Sequence, residues 1–178
     1  MNEPCNINTM GTNAVIKATT TKQEGADNYT EMLAALPKCT EEKGLHKHPL
    51  QTVRLEPIEG KLGIMMADRR LIIKPGRSFE IPRNTEYAFY NADEKVVKFK
   101  TTLTPALHTE WLTKELVASA KRKKSKIRSA IEQSYIISQI KGEYYRSGLP
   151  VAIQNIVHPA LALVAKMLGV HKQISPLY

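Results

Sequence analysis

From Ala14 to Thr104 apolar and polar residues alternate in short runs, and a turn signal closes nearly every run. AVIKATTTK (14–22) is β-branched and alternating, EGADN reads as a turn, and YTEMLAAL (29–36) reads as a second strand. After the polar break PKCTEEKG come QTVRLEPI, KLGIMMA, RLIIK, SFEI, YAFYN and EKVVKFKTTLT, separated by EG, DR, PG, PRNTE and AD. Short extended runs with a turn at each interval predict an antiparallel sandwich or barrel. No long helical pattern interrupts them, which argues against βαβ units.

The period changes at Pro105. HTEWLTKELVASAKRKK sets Trp111, Leu112, Leu116 and Val117 at helical spacing, with Thr109 as the expected N-cap. SAIEQSYIISQIKGEYY carries Ile131, Tyr135, Ile136 and Ile140 on one face. Gly148-Leu149-Pro150 is a stop, and VAIQNIVHPALALVAKMLGV predicts a third helix, interrupted at Pro159 and ended by Gly169. The chain therefore divides into a loose arm (1–12), a β-barrel (13–104) and an α-helical extension (105–178) within the same compact unit.

One stretch is more specific than its pattern. Gly44-Leu45-His46-Lys47-His48-Pro49 leads to Glu59-Gly60-Lys61-Leu62. Ile73-Lys74-Pro75-Gly76-Arg77-Ser78-Phe79-Glu80-Ile81-Pro82 leads to Phe89-Tyr90-Asn91. Residues two apart on a strand share a face, so His46 and His48 can both offer imidazole nitrogens to a barrel interior. These segments resemble the two motifs of the cupin superfamily: an H-x-H strand with a Glu and a turn glycine, then P-G and P-x-G-T type turns with a His before an aromatic-Asn pair. The resemblance implies an all-β fold, the double-stranded β-helix or jelly roll, followed here by the α-helical extension. QSYIISQIKGEYYRSGLP and the terminal Pro176-Leu177-Tyr178 resemble the helical tail of small cupin-domain proteins.

The departures from the motif matter. The family's ligand Glu falls on Val53 and its last ligand His on Tyr87. Two imidazoles alone make a weak site. Three readings of His46 and His48 stay open. They bind a divalent transition metal (Fe, Mn, Ni or Zn) completed by water, Gln51, Glu86 or Tyr87. They line a metal-free pocket. Or they serve only packing. Alternation gives the candidate lining as His46, His48, Val53, Leu55, Tyr87 and Phe89. Met32, Leu62, Ile64, Met66 and Phe99 are further interior positions. That lining suits a small, mainly apolar guest, or the side chains simply fill the barrel.

Composition narrows the remainder. Hydrophobic residues make up 42% and charged residues 24% of 178 residues, ordinary for a globular chain. Two cysteines, Cys5 and Cys39, build no disulfide framework and fit a reducing cytoplasm. MNEPCNINTM has no basic or apolar leader region, so no signal peptide is expected. Of the net +9, residues 101–178 carry +7, with 11 Lys/Arg against 4 Asp/Glu. Such a field attracts acidic partners or aids solubility. No aromatic platform is interleaved with KRKKSKIR, so no nucleic-acid partner is expected. The apolar third helix has three uses: covering the barrel mouth or a homodimer interface, lying on a membrane surface beside Lys121–Arg128, or acting as a lid. No serine sits in a nucleophile elbow, no phosphate-cradling glycine loop occurs, and His108 and His158 read as surface or packing residues.

The expected function is a cytoplasmic, dimeric cupin-fold protein that binds a small molecule at a degenerate metal site. Whether it is an enzyme stays open. One alternative is a metal-dependent oxygenase or isomerase using His46 and His48. A metal-free version has one of these histidines as base and Tyr87 as acid. Another alternative is a protein that binds a partner or a membrane surface through its basic tail.

Overall fold

The computed structural model describes residues 15–24, 27–41, 44–122 and 125–177. The expected loose arm (1–12) and Cys5 lie outside them. Nine strands come first: β1 (Val15–Glu24), β2 (Asp27–Leu36), β3 (His46–Lys47), β4 (Thr52–Glu59), β5 (Leu62–Met66), β6 (Arg70–Ile73), β7 (Phe79–Ile81), β8 (Tyr87–Asn91) and β9 (Val97–Thr104). Then follow α1 (Thr109–Lys121), α2 (Lys126–Gln139), a short β10 (Tyr145–Arg146), α3 (Val151–Met167) and a 3₁₀ turn (Val170–Gln173).

The strands form two antiparallel sheets, ordered β1-β2-β9-β4-β7 and β10-β3-β8-β5-β6. Without the outer β1 and β10, the order β2-β9-β4-β7 faces β3-β8-β5-β6. This is the strand order of a jelly roll, the double-stranded β-helix. The alternation that predicted it is visible as burial. Along β9 every second residue is buried, and Val53, Leu55 and Pro57 point inward from β4. Leu36, Val53, Leu55, Leu62, Ile64, Ile81, Phe99 and Leu103 form the centre of the core. Each such side chain contributes about 1.5–3 kcal/mol of burial. Gly60 turns β4 into β5 at φ 75°, and a Cβ there would lie 3.0 Å from Val97 Cγ2.

Several expectations are corrected. The all-β barrel and the three-helix extension are both present as expected, and the corrections concern finer points. Thr109 is not the N-cap of α1: His108 holds that place without a side-chain cap bond, and the Thr109 hydroxyl accepts from Gln51 instead. Helix α2 starts earlier than its apolar pattern, because Ser125 caps it by accepting from the Arg128 N–H. Pro159 does not interrupt α3, which runs through it to Met167. Cys39 is disulfide-bonded, so the inference of a reducing compartment loses the free thiol it rested on.

Candidate functional site: the histidine pair and the inner layer of the barrel

Strand β3 is two residues long, and His46 pairs directly with Tyr87 of β8. The imidazole of His46 lies 4.4 Å from the Tyr87 ring and 5.4 Å from that of His48, centroid to centroid. His48 is 6.2 Å from Tyr87, and Phe89 is 6.4 Å from His46. Val53 and Leu55 enter the same core from β4. The structure thus gathers all six candidate residues at the inner face of one barrel.

The extension closes this end. After α2 the chain turns back, and Tyr145 and Arg146 pair with Lys47 and His46. The Ser147 N–H donates to the Leu45 carbonyl at 2.7 Å. Tyr144 stacks on His46 at 5.5 Å and meets His48 edge-on at 5.6 Å. Glu143 is buried and accepts from both the main-chain N–H and Nδ1 of His108. His46 and His48 are left 5% and 9% exposed, too little for direct access from solvent.

Gln51 fixes the second histidine. Its Nε2 donates to the carbonyls of Pro105 (2.8 Å) and Ala106 (3.2 Å) and to Thr109 Oγ1 (2.7 Å). With the amide nitrogen committed to three acceptors, Oε1 must face His48 Nδ1, 3.1 Å away. Burial is the main cause that lowers the His48 pKa to about 3, and His46 adds to it. Hydrogen bonds to Gln51 and to the Glu143 main chain pull weakly the other way. His48 is therefore a neutral imidazole near pH 7.

This donor set does not fit a divalent metal. Val53 has no donor atom, Tyr87 is a phenol packed against rings, and one His48 nitrogen is already bonded to Gln51. Among the described residues no group of three His, Cys, Asp or Glu side chains is placed to hold an ion. Gln51, one of the residues considered for completing the site, turns its nitrogen toward the extension instead. Glu86 lies one residue before β8.

Strand order, inward H-x-H pair and flanking turns now stand together. The barrel is a cupin fold.

No protein-family model matches the chain, and no curated protein matches it. Several solved structures are similar to part of it. A cupin-2 domain protein from Shewanella frigidimarina is 20% identical, over 48% of this chain and 78% of that one, with a TM-score of 0.40. An RmlC-like cupin from Methanocaldococcus jannaschii is 18% identical over 50% and 82%, TM-score 0.41. A polyketide cyclase from Streptomyces resistomycificus is 22% identical over 50% and 66%, TM-score 0.39.

A second feature of this cupin barrel lies one layer further in. Cross-strand pairing aligns Met32, Thr101, Leu55 and Phe79 across one sheet. Phe89, Ile64 and Leu71 are aligned across the other. Leu55 and Ile64 are fully buried, but Met32, Leu71, Phe79 and Phe89 face inward and are only half-buried. Thr101 is the one polar side chain that the eight barrel strands give this layer, and the Thr113 hydroxyl of α1 donates to Met32 Sδ beside it at 3.4 Å. Two open surface clefts lie elsewhere, one of about 350 Å³ beside Arg54, Arg77 and Lys100, the other beside Gly60 and Lys98. The sequence singled out Met32 and Phe89 by alternation. It gave no sign of Tyr144, which sits in a turn with no periodicity of its own.

Proposed function

We propose that this protein is a metal-independent, non-catalytic cupin-fold module that takes a small, mainly apolar molecule into its barrel. One observation carries the reading: Met32, Leu71, Phe79 and Phe89 point into the barrel yet stay half-buried, while the aliphatic side chains beside them are sealed. Large apolar groups left partly exposed on an inner face gain free energy when a guest covers them. Met32, unbranched and adaptable, can move to admit one. Thr101 supplies a single hydrogen-bonding anchor, so the guest is apolar with one polar group. The donor set at His46 and His48 gives no support to a metal-dependent oxygenase or isomerase. The burial of both histidines under Tyr144 gives none to acid–base work on a diffusing substrate.

The test is titration of the purified protein with a neutral apolar fluorophore, N-phenyl-1-naphthylamine. Saturable binding at one site per chain is expected. Met32→Trp, which fills the layer, removes it, and Ile156→Glu, on the outer face of α3, leaves it intact. No saturable binding, or binding removed by the α3 variant and not by Met32→Trp, would refute the proposal.

A further inference from the structure

Helix α3 turns a narrow face inward. Gln154, Ala162 and Ala165 are its buried residues. It packs on α2 through Leu161 and Ala165 against Ile131 and Tyr135. The opposite side is apolar and uncovered: Ile153 is 44% exposed, Ile156 71%, Leu163 64% and Met167 86%. At about 100° per residue, the residues from Ala152 round to Val157 fill an arc of about 140° without one polar side chain. Globular proteins rarely leave such a stripe to water.

The exposed charge of the chain from α2 onward has one sign. Between Lys126 and Tyr178 the chain has six Lys/Arg and only two carboxylates. Lys126, Arg128, Lys141, Arg146, Lys166 and Lys172 are all exposed. Both are buried: Glu132 is ion-paired with Arg122, and Glu143 accepts hydrogen bonds from His108. Among the described residues of this segment no exposed Asp or Glu offsets the basic groups. Lys126 and Arg128 lie in the first turn of α2, the end that packs beside Ala165 and Val170. Lys166 and Lys172 stand at that same end, and Arg146 lies close enough to His158 to affect its charge. Cations thus gather at the C-terminal end of the stripe, while Arg146 stands beside the inward side of the first half of α3.

A second copy fits this surface poorly. A two-fold pair would bury stripe on stripe but bring two faces of the same charge together. A nucleic acid would answer the charge and leave the stripe wet. An anionic bilayer answers both, with acyl chains for the apolar side chains and headgroup phosphates for the lysines and arginines. The 17 residues of α3 give a ridge about 25 Å long, suited to lying in the interface. Among the described residues no helix is long and apolar enough to cross a membrane.

We propose that α3 and its basic flanks dock this protein on an anionic lipid surface, with Ile153, Ile156, Leu163 and Met167 entering the headgroup–acyl boundary. The experiment is co-sedimentation of the full chain with phosphatidylcholine vesicles, with and without phosphatidylglycerol, at low and high salt. Binding is expected to the anionic vesicles only, and to weaken with salt. Ile156→Glu/Met167→Glu alters two exposed positions, with folding verified by circular dichroism, and should lower affinity tenfold or more. Lys166→Glu/Lys172→Glu should lower it about fivefold per charge and flatten the salt dependence. The proposal is overturned if the wild-type protein ignores anionic vesicles, binds neutral ones equally, or binds undiminished after the Ile156/Met167 change. A dimer that the same change converts to monomer, with no vesicle binding, would also overturn it and assign the stripe to a second copy.

Discussion

His48 carries its charge state in its surroundings. Its ring is enclosed by His46, Tyr87 and Tyr144, with Gln51 and the Glu143 main chain as its hydrogen-bonding neighbours. The folded-state pKa of about 3 lies below the value of about 6.5 that an unfolded chain would show. Between these limits the unfolded chain binds a proton that the folded one refuses. Stability should therefore be complete above about pH 6.5 and fall as pH drops toward 3, by up to about 1.4 kcal/mol per pH unit from this one group. Urea unfolding across that window should show a steeper loss for wild type than for His48→Gln. His158 is also lowered by burial, but both proteins keep it, so the difference isolates His48. Parallel curves would mean that the imidazole is not held neutral. The inward aim of His46 and His48 was legible in their spacing, since a strand has a period of two. The role of Gln51 was not: its Nε2 acceptors come 54 to 58 residues later in the chain, and local pattern holds no record of such pairings.

Elements were legible in proportion to their length. β4 and β9 run for eight residues each and alternate cleanly, so burial on one face marks them in the sequence. β10 has two residues, too few for any period, and it exists because β3 leaves a free edge for it to pair with. The start of α2 was missed for a related reason: its first turn, Lys126 to Arg128, is exposed, so the apolar pattern starts only later. Tyr144 belongs to this scale, because β10 and the end of α2 hold it over the two imidazoles. Tyr144→Ala should cost about 2–4 kcal/mol of stability, a little under the range of about 3–5 kcal/mol for a fully buried aromatic ring because Tyr144 is only half-buried. It should also speed the reaction of His46 and His48 with diethylpyrocarbonate, read by mass spectrometry of the modified peptides. If the variant loses stability while the two histidines react no faster, Tyr144 packs against them without shielding them.

At the scale of the molecule, the division into barrel and extension was visible in the change of period at Pro105, but the degree of joining was not. Gln51 of the barrel bonds three groups between Pro105 and Thr109. Thr21 donates twice to Glu110 of α1. β10 completes a barrel sheet, and the Ser147 N–H reaches Leu45. Losing the extension would leave the Gln51 amide without its acceptors, open the edge of β3 and uncover two buried imidazoles, each an expensive change. Chain separation hides these links, while the outward side of α3 is hidden by the opposite problem. A helix apolar nearly all round does not say which arc its neighbours will cover. Joining of this kind predicts one cooperative unit. Urea unfolding followed by Trp111 fluorescence, which reports the extension, should coincide with far-ultraviolet dichroism at strand wavelengths, which reports the barrel. Native-state hydrogen exchange should then protect β4, β9 and α2 to similar free energies, with lower values only at the chain ends and surface turns. Two separated transitions, or β9 amides that stay protected while α2 exchanges freely, would instead make the barrel an independent domain carrying a detachable helical tail.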